Sequence, residues 1–294
     1  MQNWRNRNET PHYQMERLKQ GGNLQRAIQD DDCILVVYGE GGGCTLEVSG
    51  GVTGFWIPLH GSLRISNTSV SQSICAREAL VTEHDARVRA IGHANSRWVA
   101  ILARERAWTS LLASVTDLPV QLLPEFLHIG PDLRRKAVAI ARSASRFELE
   151  GAVHAIADEI ASTQSELRAA IGRCPGKTYR KRRQVFLRLQ RVRNFMGAHC
   201  EEELDNEMLA RMANYSPCHF LRTFAAVFLE TPHVYLVDQR LLRARRLLQS
   251  GELAVTEVAF ASGFENRCAF SRSFRKRFGT TAKEEMRRFH TVAT

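Results

Sequence analysis

The sequence predicts an α+β chain. A small antiparallel β-barrel or sandwich with helices after it is followed by an all-α domain of two helix-turn-helix units joined by a connecting helix. Three observations predict this. Short alternating apolar runs, broken by glycine clusters, fill residues 33–105, the texture of antiparallel strands. From about Ala107 the apolar spacing lengthens to three or four residues, the period of helices. Near the C-terminus one pattern occurs twice, about fifty residues apart.

The 294 residues suffice for two or three domains, and 44% hydrophobic with 24% charged residues is ordinary for a soluble globular protein. The net charge of +10 is lopsided. Residues 167–294 hold 24 Lys and Arg against 12 Asp and Glu, while residues 1–166 hold 17 against 19. A basic half joined to a near-neutral half implies that one half meets a polyanion. Seven scattered cysteines, none spaced as CxxC, argue against a disulfide framework and a zinc finger. The first twenty residues hold no apolar core, and no run approaches the roughly 18 apolar residues of a membrane span. The expectation is a cytoplasmic chain with no membrane partner.

In chain order, the polar residues 1–32 are expected to form a flexible arm. Residues 33–106 carry the strand-like runs CILVVYG, CTLEVSG, GFWIPLHGSLRIS and RWVAILARE. The segment Phe55-Trp56-Ile57-Pro58-Leu59-His60-Gly61 resembles a strand and turn of a cupin barrel, which implies an effector or regulatory domain. Catalytic cupins hold a metal with closely spaced histidines, but His60, His84 and His93 stand alone, so no metal or other cofactor is expected. Trp56 and Trp98 are expected in the core of a barrel large enough for one small ligand. Residues 107–171, including WTSLLASV, PEFLHI and a long pattern from Phe147 to Ile171, are read as helices for packing or dimerisation. Residues 172–190 read as a basic linker, opening on Gly172-Arg173-Cys174-Pro175-Gly176-Lys177 and running on into a helix with a basic face. No acid occurs between Glu166 and Glu201, which favours phosphate contact.

The repeat then sets the class of the last domain, residues 191–288. Leu209, Ala210, Asn214 and Tyr215 correspond to Val258, Ala259, Gly263 and Phe264 with an offset of 49. Phe220, Arg222, Phe224 and Phe228 correspond to Phe270, Arg272, Phe274 and Phe278 with an offset of 50. Asn214 is one of the few non-glycine residues that tolerate a left-handed turn, so it can serve where Gly263 does. Asp205, Ser216 and Asn266 suit N-caps, and Pro217 suits a first helical position. Between the units, VYLVDQRLLRARRLLQ makes a connecting helix ending at Ser250-Gly251. Leu236, Leu241, Ala244, Leu247 and Leu248 form its buried face, and its arginines lie outside or pair locally.

RLLRARRLLQ followed by VTEVAFASGFENRCAFSRSFRKRFG resembles the signature of the AraC/XylS family of bacterial transcription regulators, from roughly Arg191 to Arg288. The resemblance implies a monomeric domain whose two recognition helices enter successive major-groove faces of double-stranded DNA, about 34 Å apart. The first would present Ser216, Pro217, Cys218, His219, Leu221 and Arg222; the second, Asn266, Arg267, Cys268, Ser271 and Arg272. Arg222 and Arg272 suit guanine or phosphate, because the guanidinium fork offers two parallel donors. Amides at the helix starts capped by Ser216 and Asn266 would also meet phosphate. Phe220, Phe224, Phe264, Phe270 and Phe274 are expected in the core. Leu229 stands where the family usually has glycine, Ala225 and Ala226 where basic residues are frequent, and Ala282 where proline is usual. The first unit is therefore expected to bind more weakly.

The resulting expectation is a sequence-specific regulator, not an enzyme, controlled by a small-molecule effector or by homodimerisation through its N-terminal domain. RNA polymerase is a partner if it is an activator. The alternative is a cupin-type metal enzyme carrying a DNA-binding tail. A third reading makes Cys174 an oxidant or alkylation sensor, since Arg173 and Lys177 would favour its thiolate. The absent CxxC excludes the DNA-repair relatives that add a zinc-bound cysteine cluster.

Overall fold

The alternating runs pair as strands, and the computed structural model describes residues 11–67, 71–113 and 122–291. The chain divides into two units, Met1–Ala169 and Ala170–Thr294. Among the described residues the first holds ten strands: β1 (His12–Leu18), β2 (Asn23–Ala27), β3 (Cys33–Glu40), β4 (Thr45–His60), β5 (Ser62–Asn67), β6 (Ser71–Cys75), β7 (Glu78–Val81), β8 (Asp85–Gly92), β9 (Arg97–Ala103) and β10 (Glu125–His128). With them go the helices α1 (Glu105–Ala113), α2 (Pro131–Arg142), α3 (Arg146–Thr163) and α4 (Ser165–Arg173), the last lying across the division.

The sixteen-residue β4 links two layers of the sheet. Its first part pairs antiparallel with β8 and parallel with β2; its second part pairs with β9 and β7. The register shifts between Ser49 and Val52, where Gly50 and Gly51 take φ of 108° and 72°. A Cβ on Gly50 would lie 2.4 Å from the Ile28 carbonyl oxygen, so only glycine allows the bend there. The central strands β3 and β9 are buried on both faces. One face, with Ile34, Val36, Phe55, Ile57, Val99 and Ile101, packs on Trp108 of α1, Ala137 and Ile140 of α2, and Val153 and Ile156 of α3. On the opposite face of β4 and β9 the alternation places Trp56 and Trp98, both fully buried. The indoles of Trp56 and Trp108 donate to Thr82 Oγ1 at 3.3 Å and to the Thr53 carbonyl at 2.9 Å.

Three expectations change here. The polar arm is not wholly irregular: β1 pairs parallel with β3, and β2 with β4, while residues 1–10 lie outside the described residues. Both strands are peripheral and keep one side toward water, so their composition reads as loop. PEFLHI is not helical but forms β10 against β7, Phe126 opposite Leu80, because four residues after a proline gain more from an open strand edge than from one helical turn. The Phe147–Ile171 pattern is two helices. They part at Gln164, whose buried amide closes a two-way bond with the Leu123 backbone at 3.0 and 2.7 Å.

The second unit is helical: α5 (Tyr179–Ala198), α6 (Asn206–Met212), α7 (Pro217–Phe228), α8 (Pro232–Ser250), α9 (Val255–Ala261), α10 (Arg267–Phe278) and α11 (Ala282–Thr291). Thr178 caps α5 by accepting from the Lys181 N–H, and the helix passes residue 190 without a break. Phe264, Phe270 and Phe274 fill a core with Leu241, Ala244 and Leu248 of α8. Phe220 and Phe224 are likewise fully buried, and Leu247 is half-buried.

Candidate nucleic-acid interface

Two matched helix pairs, α6–α7 and α9–α10, carry all the predicted site residues, and their turns are built from the same bonds. In the first, the N–H groups of Ala213, Asn214 and Tyr215 donate to the carbonyls of Leu209, Arg211 and Ala210 at 3.2, 3.0 and 2.9 Å. In the second, Ser262, Gly263 and Phe264 donate to Val258, Phe260 and Ala259 at 3.0, 2.9 and 3.1 Å. The left-handed residue stands at the same place in both, Asn214 with φ 56° and Gly263 with φ 87°. The far ends match as well: Leu229 and Gly279 donate to Ala225 and Arg275, each at 2.9 Å, with φ of 61° and 71°. Each pair runs on into a further helix capped by threonine. Thr231 Oγ1 accepts from Val234 at the start of α8, and Thr281 Oγ1 from Glu284 at the start of α11.

The site residues form one exposed group at the start of each longer helix. Ser216, Pro217, Cys218, His219 and Arg222 of α7 are exposed, and Leu221 is half-buried. Asn266, Arg267, Cys268, Ser271 and Arg272 are exposed at the corresponding end of α10. The caps differ. Asn266 Oδ1 accepts from Cys268 and Ala269 at 2.7 and 3.2 Å, so those two amides are already occupied and cannot also hold a phosphate. Ser216 occupies the N-cap position with an extended backbone, but its hydroxyl caps no amide. Asp205 caps α6 through Met208 at 2.7 Å.

Arginines from the preceding helices hold both pairs in place, a feature that pattern reading missed. With an offset of 52, Arg188, Leu189, Arg191, Val192, Arg193 and Met196 of α5 match Arg240, Leu241, Arg243, Ala244, Arg245 and Leu248 of α8. Arg193 lies over the Phe228 and Tyr235 rings at 5.0 and 4.6 Å and pairs with Glu230 at 3.5 Å. Its counterpart Arg245 lies over Phe278 at 5.0 Å and donates to Glu285 at 2.6 Å. Three of the α8 arginines therefore bond to other elements rather than pairing locally, although Arg245 keeps an exposed side chain. Arg240 binds the carbonyls of Cys200 and Glu202 at 2.7 and 2.9 Å, and Arg243 binds that of Ala261 at 3.0 Å. Arg277, on the basic side of α10, is tied back to Asp238, whereas Arg275 and Lys276 are exposed.

A family model described as a helix-turn-helix domain matches residues 209–288. The C-terminal unit carries an AraC-type helix-turn-helix domain. The chain is 34% identical over 98 residues to the HTH-type transcriptional regulator GbdR of Pseudomonas aeruginosa, covering 33% of this chain and 27% of GbdR. It is 38% identical over 97 residues to the HTH-type transcriptional regulator GlxA of Rhizobium meliloti, covering 32% and 29%. It is also similar to the solved DNA-binding domain of AdpA in complex with a target DNA, at 30% identity over 36% of this chain and 95% of that one, with a TM-score of 0.34. The chain thus spans less than a third of the two regulators it matches.

Outside the AraC-type domain the predicted chemistry changes at one point. Cys174 is buried, its thiol donates to the Ala170 carbonyl at 3.4 Å, and burial pushes its pKa up to about 11 against the smaller pull of Arg173 and Arg182. Desolvation outweighs the nearby cations, so the thiolate expected there is disfavoured. Among the described residues no helix is long and apolar enough to cross a membrane, and no group of three His, Cys, Asp or Glu is placed to hold a metal ion.

Proposed function

We propose that this chain is a sequence-specific DNA-binding transcription regulator that acts by binding rather than by catalysis. One observation carries the reading: two helix pairs with the same turn bonds each present an exposed N-terminal helix face holding an arginine, Arg222 and Arg272. In this reading α7 and α10 are recognition helices set in successive major-groove faces of double-stranded DNA. Ser216, Pro217, Cys218, His219, Leu221 and Arg222 face one site, and Asn266, Arg267, Cys268, Ser271 and Arg272 the next.

The first unit, with its cupin-like strands and the helices α1 to α4, serves as the regulatory part, taking a small-molecule effector or a second copy of the chain. RNA polymerase is the further partner if the protein activates. Support comes from the names of the relatives and from the basic balance of residues 167–294.

The test is selection of binding sites from random duplexes, followed by gel shifts of variants. Arg272→Ala should lose about 1–3 kcal/mol on the selected site and relax its sequence preference. Unchanged affinity would remove Arg272 from the interface, and failure of the wild-type chain to select any sequence would overturn the function.

A further inference from the structure

The offset of 52 breaks in meaning at one position, although the residue there is arginine both times. Arg240 of α8 lies against the turn at Gly263, where a Cβ would come within 2.9 Å of its Nε, and its donors are taken by the carbonyls of Cys200 and Glu202. Arg188 of α5 stands at the matching turn of the first pair, and its contacts there are different. Its guanidinium lies 5.5 Å over the Tyr215 ring, and its Nε reaches the Gln184 carbonyl of its own helix at 3.5 Å. No carboxylate pairs with it among the described residues. A guanidinium has five donors in a fixed fork, so most of those on Arg188 stay unused by the protein.

What it stands beside is decisive. The Tyr215 ring packs on His219 with centroids 4.6 Å apart, and His219 is exposed on the first turn of α7. Arg188 is therefore one ring away from the group of side chains at the start of that helix. Lys181, two turns earlier on the same side of α5, is exposed as well. The two pairs also differ in their own supply of charge. Where α10 carries Arg275 and Lys276, α7 carries Ala225 and Ala226, leaving Arg222 as its one arginine.

We infer that Arg188, with Lys181 behind it, binds backbone phosphate beside the base pairs that α7 faces. The first pair is then anchored to DNA from its scaffold helix, and the second from its own recognition helix. This rests on the DNA-binding function proposed above. Phosphate contact fixes position without reading sequence, and each such contact releases condensed counterion.

The experiment measures binding against salt on two probes: a duplex recovered by random-oligonucleotide selection with the wild-type chain, and a scrambled duplex of the same length. Arg188→Ala should weaken both to a similar degree and flatten the slope of log affinity against log salt by about 0.9. The selected sequence should stay preferred. Arg188→Lys should restore the slope, because it keeps the charge and loses only the fork. A merely structural arginine would behave differently, with Arg188→Ala lowering the melting temperature and leaving the slope of the folded fraction at the wild-type value. That result overturns the inference. If Arg188→Ala does not fold, Arg188→Gln takes its place, and a wild-type slope there overturns the inference equally. A wild-type chain whose affinity for either duplex ignores salt overturns the DNA-binding function itself before any variant is made.

Discussion

Arg245 donates its Nε hydrogen to Glu285 Oε1 at 2.6 Å, joining the middle of α8 to a carboxylate of α11 whose side chain is 4% exposed. The arginine is 44% exposed, and its guanidinium also covers Phe278 at 5.0 Å. The pair is thus asymmetric in burial, and its two truncations should differ. Glu285→Ala leaves an arginine that water can still reach. Arg245→Ala leaves a buried carboxylate with Arg288, at 4.0 Å, as its remaining ion-pair partner among the described residues. Urea denaturation should show Arg245→Ala losing about 2–3 kcal/mol and Glu285→Ala about half as much, because an uncompensated buried charge is the costlier remnant.

Leu229 should be stabilised by replacement with glycine. Its φ of 61° places a branched-chain residue in the left-handed region, and its side chain is 74% exposed, so little packing offsets the strain. Leu229→Gly should gain about 0.5–1 kcal/mol in denaturant unfolding, after the extra freedom of glycine in the unfolded chain is deducted. Gly279 offers the reverse experiment at the corresponding helix end. A Cβ there meets nothing within 4 Å, so Gly279→Leu should lose a similar amount through backbone conformation alone.

Cys218 and Cys268 occupy equivalent exposed positions, one residue into each proposed recognition helix. A maleimide should label both quickly in the free protein, along with exposed Cys75, and should spare buried Cys33, Cys44, Cys174 and Cys200. Selected duplex DNA should protect Cys218 and Cys268 and leave Cys75 labelled. Mass spectrometry of tryptic peptides reads the result, and equal labelling with and without DNA would remove both helices from the interface.

Alkali should loosen the second unit through Cys174. Burial holds its pKa up at about 11 against an unfolded value near 9, so the folded chain keeps this proton where the unfolded chain has lost it. Its contribution is full below about pH 9 and is lost as pH rises toward about 11. Cys174→Ala should lower stability at neutral pH by a lost small apolar contact, yet flatten the decline across that alkaline window. Denaturation midpoints at both ends of the window check it.

How much of this was legible depended on whether a signal was local. Asn214 and Gly263, and the cap at Asn266, could be read because a left-handed turn and an N-cap each select residue types at one position. The Phe220 and Phe270 faces were legible because a helix repeats its buried side every three or four residues. The strands β1, β2 and β10 were not, because their pairing partners, not their composition, make them strands. The match of α5 to α8 also stayed hidden, because the α5 arginines read as one basic face favouring phosphate and not as counterparts of those in α8. Nothing in the sequence tells Arg188, over Tyr215, from Arg240, bound to the carbonyls of Cys200 and Glu202. That difference arises only when the α5–α6 loop is folded against α8.

Gly263 is where local and tertiary demands meet, and it should tolerate substitution far worse than Asn214. Its φ of 87° already disfavours any side chain. A Cβ there would stand 2.8 Å from the Cys200 carbonyl oxygen, 2.9 Å from Arg240 Nε and 2.9 Å from Glu201 Cα. Two of those neighbours are backbone, and the third is an arginine held by that same carbonyl at 2.7 Å, so none can yield alone. Gly263→Ala should therefore lose the backbone term and the Arg240 bond together, more than about 2 kcal/mol in all. Asn214→Gly changes a residue already left-handed and exposed, and should be neutral or slightly stabilising. Urea unfolding of the two variants separates these outcomes. A loss of only about 1–2 kcal/mol at Gly263→Ala, the backbone cost by itself, would mean that the turn alone, without the Arg240–Cys200 contact, accounts for the glycine.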